Sequence, residues 1–161
     1  MGGGKMINPK KTRNIRDKFN FIRNQMFLSI LNNQEKEVFL NLVINVAEID
    51  GEFTQAEQNQ ISAYVLEMGI TLKEKHTYNK SNSELLQELS KSTIQVRRSI
   101  FIEIVALMVV DGMKDEEVIL LNTIQKEFNI KDAFKEQSIT WYNNIAPLYK
   151  QGFDLIENGG K

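Results

Sequence analysis

Two stretches of the 161-residue sequence follow the same plan, and this internal repeat constrains the fold more than any other feature. Residues 42–51 and 103–112 each contain a mostly apolar run that ends in Asp-Gly. Glycine commonly follows the last turn of a helix, because it adopts the left-handed conformation without steric cost. A cap residue and an amphipathic run follow shortly after each Asp-Gly. Each copy therefore predicts two antiparallel helices joined by a short turn.

The rest of the chain also has the periodicity of helices. Ile15, Phe19, Ile22, Met26 and Ile30 recur at intervals of three and four residues, which predicts one apolar face of a helix that ends near residue 31. No strong alternation of apolar and polar residues predicts a strand.

Three short motifs predict where further helices begin. The Ser/Thr-x-x-Glu pattern of a capping box occurs at Thr54-Gln55-Ala56-Glu57, Thr71-Leu72-Lys73-Glu74 and Ser81-Asn82-Ser83-Glu84. Two hairpins can pack as a bundle with approximate twofold symmetry, because each hides the apolar face that the other cannot bury alone. We therefore predict an all-α fold: a single-domain helical bundle of six to eight helices with two pseudo-repeated αα-hairpins, over residues 15–157, after a flexible basic segment at residues 1–14.

Some details of this pattern are predicted residue by residue. Asp115 is expected to cap the helix after the second Asp-Gly, and Pro147 to open a separate final turn, because proline is tolerated at the first helical position. Arg97 and Arg98 are expected on a solvated helix face. Glu103 is expected to face solvent or Arg98, with a buried functional acid as the alternative.

The net charge of −1 conceals an uneven distribution. Residues 1–23 hold seven basic groups and one acid, a net +6, and the remaining residues hold 13 basic and 20 acidic groups, a net −7. Such a basic arm could bind anionic lipid or nucleic acid, or lie on its own acidic body. We favour contact between the basic arm and the acidic remainder of the chain, because the arm has no nucleic-acid-binding motif.

Compartment and catalysis are constrained by what the sequence lacks. There is no cysteine, no visible signal peptide and no apolar run long enough to span a bilayer, so a cytoplasmic location is expected. His76 is the only histidine and lies in a polar stretch. Neither a Gly-x-Ser-x-Gly turn nor a glycine-rich phosphate loop is present, so no catalytic residues are predicted.

The two turns resemble those of a known family. Asp50-Gly51 through Glu57 resembles the Asp-Gly-x-x-(Thr/Ser/Asp)-x-x-Glu turn of tellurite-resistance TerB-like domains. Asp111-Gly112 resembles a second copy, but its acid Glu117 falls one residue early. The resemblance implies an all-helical bundle, an association with stress resistance, acidic clusters proposed to bind metal, and no established catalysis.

The same turns concentrate carboxylates, which are the oxygen ligands that Ca²⁺ or Mg²⁺ prefers. The alternative is that these acids only favour the helix dipole and satisfy free amides at helix starts. The candidate metal ligands are Asp50, Glu52, Glu57, Asp111, Asp115 and Glu117.

These observations predict a non-enzymatic TerB-like module that is related to stress response. It would bind a divalent cation, or an unidentified protein partner, through an acidic surface at the two Asp-Gly turns. The alternative is a pure protein–protein interaction domain whose acidic turns are only helix caps. A membrane or nucleic-acid adaptor that works through residues 5–23 is a third, less favoured reading.

Overall fold

The computed structural model describes residues 27–49, Gly51, 53–72, 79–109 and 112–159. All regular secondary structure in these ranges is helical, which confirms the predicted all-α bundle. The elements are a 3-10 helix η1 (Phe27–Ile30), α1 (Asn33–Ala47), α2 (Gln55–Met68), α3 (Asn82–Leu89), α4 (Ile94–Val109), α5 (Asp115–Glu127) and α6 (Asp132–Asn158).

Helices α1 and α4 form the centre of the bundle. Each buries side chains around most of its circumference, as expected for helices with an almost continuous apolar sequence. They contact each other; α2 and α3 pack on α1, while η1, α5 and α6 pack on α4. Aromatic rings join these layers, with Phe39 of α1 and Tyr64 of α2 edge to face at 5.4 Å between ring centroids.

The helix starts follow the capping motifs. Thr54 and Ser81 each accept a hydrogen bond from the backbone of a glutamate three residues on, and that glutamate bonds back to the cap, which confirms these two predicted capping boxes. The box predicted at Thr71 extends to Glu74, which lies outside the described residues. Helix α2 ends at Gly69, which has a positive φ of 63°. The helix pairs α1–α2 and α4–α5 are both in contact, but a twofold relation between them stays a prediction.

The helix predicted for residues 15–31 lies mostly outside the described residues. Its last part is a 3-10 turn rather than α-helix, so the prediction is wrong from Phe27 onward. Leu28 is buried there and Ile30, which was expected on the buried face, is exposed. The cause is a capping box between Asn32 and Glu35, which begins a new helix directly after the turn.

Helix α6 runs without a break through Pro147, so the predicted separate final turn is wrong. Proline removes one backbone hydrogen bond and crowds the preceding turn, but its fixed φ is compatible with a helix. The first half of α6 packs on the core through Phe134 and Ile139, and no side chain after Ser138 is fully buried. None of the described helices is both long enough and apolar enough to cross a membrane.

Candidate functional site

The first acidic turn places one of its predicted ligands at the start of α2. The Glu57 Oε2 atom accepts hydrogen bonds from the Thr54 N–H at 2.8 Å and from the Thr54 hydroxyl at 2.9 Å. The Thr54 hydroxyl in turn accepts from the Glu57 N–H at 3.2 Å. Glu57 is only 4% exposed. Its carboxylate is therefore directed into the helix start and satisfies the cap.

The second turn builds a similar arrangement with different residues. Glu117 is 3% exposed, and its Oε2 atom accepts from the Lys114 N–H at 2.8 Å. The N-cap is Lys114, so the prediction that Asp115 caps this helix is wrong; Asp115 is the first helical residue and is exposed. The helix begins one residue earlier than predicted, because Glu117, whose side chain bonds back to the cap, lies three residues after Lys114.

This shift accounts for the irregular second copy of the motif. Counted from its own cap, each glutamate occupies the same third helical position. The turn differs instead: Gly51 (φ 80°) precedes its cap by three residues, whereas Gly112 (φ 98°) precedes its cap by two. The glutamate that appeared misplaced in the sequence is therefore equivalent to Glu57 at the helix start.

The predicted metal ligands are only partly covered by the structure. Asp50, Glu52 and Asp111 lie outside the described residues. Within the described ranges, no three His, Cys, Asp or Glu side chains come together in a group that could hold a metal ion. Divalent cation binding at the turns therefore stays a prediction.

Glu103 is the most unusual acid that the structure describes. It lies in the middle of α4 and is 7% exposed, so the expectation that it faces solvent is wrong. Burial, with a smaller contribution from the charge of Glu67, raises the pKa of Glu103 to about 7. Helix α4 has buried residues all around it, so no polar side is available to this carboxyl.

Three more titratable side chains surround Glu103, and we call the four the buried acid cluster: Tyr64, Glu67, Glu103 and Tyr142. The Tyr64 hydroxyl donates to the backbone carbonyl of Glu103 at 2.6 Å. Burial raises the pKa of the other three members too, and the charge of Glu103 adds to the effect at both tyrosines. Glu67 Oε1 also accepts from the Leu28 N–H at 2.8 Å, which ties η1 to the cluster. The cluster can take up a proton near neutral pH.

The arginines near Glu103 have other partners. The Arg97 guanidinium donates to the carbonyl of Phe128 at 2.7 Å, and Arg98 stacks over the ring of Phe134 at 5.5 Å. Arg97 is thus partly buried, rather than lying on a solvated face. Arg98 remains exposed, as expected.

A groove of about 560 Å³ runs beside α1 and α3. The Oδ1 atom of Asn41 is buried against it without a hydrogen-bond donor among the described residues. Lys80 and Glu88 form an ion pair at its rim with an N–O distance of 2.5 Å. The groove could accept a ligand that donates a hydrogen bond to Asn41.

The second half of α6 presents the largest uncovered apolar surface on a single described helix, which we call the α6 apolar face. Its five large side chains are 60–81% exposed. Their positions recur at helical spacing with Ile145 and Gly152, so one broad stripe continues beyond the packed half. The apolar stripe is present in the sequence, but its full length was not predicted, because the helix was expected to break at Pro147. The five are Leu148, Tyr149, Phe153, Leu155 and Ile156.

Comparison with known proteins adds no relative. No family model, no curated protein and no solved structure matches the chain.

Proposed function

We propose that this chain is a non-enzymatic protein-interaction module whose docking surface is the α6 apolar face. The observation that carries the proposal is the exposure of five large apolar side chains on one helical stretch. Isolated apolar residues are common on protein surfaces, but a contiguous apolar patch is typical of an interaction site.

The two acidic turns support this reading over a metal-binding one. Both glutamates that the structure describes there, Glu57 and Glu117, are buried and bonded to the backbone of their caps. Their presence is explained by helix initiation alone. The relationship to TerB-like domains, and with it a role in stress resistance, remains a prediction that rests on the turn motif.

The chemistry of the face indicates the kind of partner. A straight apolar stripe on a helix fits the apolar face of a second amphipathic helix, whose anchors recur at the same spacing. Residues 24–161 carry a net charge of −7, and the acids Asp154 and Glu157 outnumber Lys150 on the polar back of the same stretch. We therefore propose a partner helix that is amphipathic and basic.

A designed peptide of 18 residues tests this proposal, with leucine at helical spacing and lysine elsewhere. We expect the full chain to bind the labelled peptide in a fluorescence anisotropy titration. Ile156→Glu should weaken that binding by about tenfold or more, because a buried charge replaces an anchor. If the basic peptide bound only by electrostatic attraction, the added glutamate would strengthen binding. Weaker binding therefore indicates that the peptide contacts the apolar face.

Ile119→Glu is the matched control. Ile119 is 68% exposed and belongs to α5, so its replacement adds the same charge to a different helix from the one that carries the α6 apolar face. Binding should be unchanged or slightly tighter. If the two variants affect peptide binding equally, or if the natural chain does not bind the peptide, the α6 apolar face is not the docking surface.

The cation-binding alternative is tested separately by thermal melts of metal-stripped protein. A cation that binds only the folded state at 100 times its dissociation constant adds about 2.7 kcal/mol of stability. A rise in Tm with Ca²⁺ or Mg²⁺ that is lost in both Asp50→Asn and Asp111→Asn would establish a metal site at the turns. An unchanged Tm would leave them as helix caps.

A further inference from the structure

The groove beside α1 and α3 contains a buried amide that the described part of the fold does not use. We propose that this groove, which we call the Asn41 groove, binds a small molecule that presents a hydrogen-bond donor next to an acceptor, as a carboxamide or an adenine base does. Such a site is separate from the α6 apolar face and adds a ligand to the proposed interaction module.

Asn41 occupies an unusual place for an amide. It lies in the middle of α1, between the buried Leu40 and Leu42, and is itself only 5% exposed. Its Oδ1 atom has no hydrogen-bond donor within the described part of the chain. A buried polar group without a partner costs free energy that an apolar residue of the same shape does not cost. An asparagine at this position therefore destabilises the fold unless a ligand pairs with it.

Asn45, one helical turn further along α1, shows how an asparagine serves the fold of this bundle. Its Nδ2 atom donates to the Lys80 carbonyl at 3.0 Å and to the Asn82 Oδ1 atom at 3.0 Å, where α3 begins. These two hydrogen bonds hold the start of α3 against α1. At position 41 the described residues supply no such partner for Oδ1, although the residue type and the helix are the same.

The size and lining of the Asn41 groove fit a small ligand. Its volume of about 560 Å³ lies within the range of about 300–1,000 Å³ that is typical of small-molecule sites. Such sites combine apolar walls with a few polar groups that orient the ligand. Lys80 and Glu88 at the rim are paired with each other, so neither charge is left to select an ion. The apolar side chains of the lining are Val38, Leu40, Ile70 and Leu85.

The chemistry of the amide indicates the class of ligand. An asparagine side chain carries an acceptor and two donors on adjacent atoms, and a half-turn about its last bond exchanges their positions. A molecule with a donor beside an acceptor can therefore form two parallel hydrogen bonds with it, as adenine does with asparagine. A primary carboxamide presents the same pair of groups. Adenosine and nicotinamide are thus suitable probes of the two sources of this chemistry.

The first experiment tests whether Asn41 serves binding rather than folding. Asn41→Leu replaces the amide with an apolar side chain of similar size, so the midpoint of urea unfolding should rise or stay unchanged. Asn45→Leu is the matched control and should lower the midpoint, because it loses both hydrogen bonds to the start of α3. An Asn41→Leu chain that unfolds at lower urea than the natural chain, or that does not fold, would overturn the proposal.

The second experiment measures binding to the isotope-labelled full chain by NMR, with adenosine and nicotinamide titrated separately. Binding should shift the side-chain amide signals of Asn41, which are identified by their absence from the spectrum of Asn41→Leu, more than those of Asn45. Purine riboside and methyl nicotinate are the control ligands, because they keep the ring of each probe but lack its amino or amide N–H donor. Both control ligands, and both probes with Asn41→Leu, should bind at least tenfold more weakly.

A response to adenosine alone would identify a nucleobase as the ligand type, and a response to nicotinamide alone would identify a carboxamide. Either result, with loss of binding in Asn41→Leu, supports the proposal. No shift with either probe at millimolar concentration would overturn it, and so would equal binding of the control ligands or undiminished binding to Asn41→Leu. None of these outcomes bears on the α6 apolar face, which is tested with the designed peptide.

Discussion

Three glutamates of this chain are almost equally withdrawn from water, yet they occupy opposite kinds of site. Glu57 and Glu117 lie at helix starts, where free backbone N–H groups and the helix dipole favour a carboxylate. Glu103 lies in mid-helix, where the backbone groups around it are already paired and the neighbouring cluster includes a second acid. The comparison shows that burial alone does not define a functional acid, because a buried glutamate can serve only as the hydrogen-bond acceptor that a helix start needs.

The largest effect is expected at Glu103. Its pKa of about 7 exceeds the ordinary value of 4.5, so the folded state holds the proton more tightly than the unfolded state does. This acid therefore favours folding fully below pH 4.5, loses that contribution as the pH rises through 7, and contributes no further change above it. At 1.36 kcal/mol per pKa unit the loss is about 3 kcal/mol. Glu103→Gln should remove most of this pH dependence and raise stability at pH 8, measured by urea unfolding at pH 4.5, 6 and 8.

Glu67→Gln is the companion variant for that measurement. It removes the neighbouring charge but leaves Glu103 buried. The pH range over which stability is lost should therefore shift to lower pH without disappearing. Tyr64 and Tyr142 face the same carboxyl and stay neutral throughout this range, because their pKa values are raised above 10.0. A Glu103→Gln chain that loses stability with pH as steeply as the natural chain would contradict the assignment to Glu103.

The contrast between Glu103 and the helix-start acids also marks how far the sequence can predict this molecule. The caps at Thr54 and Ser81 were predictable because their motif is local and names both partners. The box at Asn32 carries the same signal, an acid three residues later, but the cap was predicted at Asn33 and the helix from Gln34, which is one residue late. The cap at Lys114 was not predictable, because lysine has no side-chain oxygen and only the position of Glu117 reveals it.

The burial of Glu103 and the α6 apolar face depend on long-range packing. A mid-helix glutamate usually turns to solvent, but other elements contact α4 on several sides. The stripe on α6 is visible in the sequence, but only the structure shows that its second half is left uncovered. Local motifs therefore predicted the helices and most of their ends, while tertiary contacts determined which side chains are available for function.

The next effect sharpens the comparison between the two helix starts. Glu57→Ala removes an acceptor for both the Thr54 N–H and hydroxyl, and it should cost about 2 kcal/mol of unfolding free energy. Glu117→Ala should cost about 1 kcal/mol, because its cap residue has no hydroxyl. Glu57→Gln is the control, since glutamine retains an acceptor and should be nearly neutral. Equal losses in the two alanine variants, measured by chemical denaturation, would mean that the Thr54 hydroxyl adds nothing.

The smallest expected effect is a gain in stability. It tests whether the second helix start lacks only a cap side chain. Lys114→Thr supplies the hydroxyl that Thr54 provides in the first turn, so it should accept from the Glu117 N–H and stabilise the chain by about 0.5–1 kcal/mol. Lys114→Ala removes the lysine without adding an acceptor and is the reference for the comparison. Because the extra bond forms at the start of α5, hydrogen exchange of the first α5 amides should slow in the threonine variant relative to the alanine variant. Threonine and alanine variants of equal stability would show that the shorter turn at Gly112 does not hold residue 114 as its counterpart holds Thr54, and the two helix starts would then be equivalent only in their glutamates.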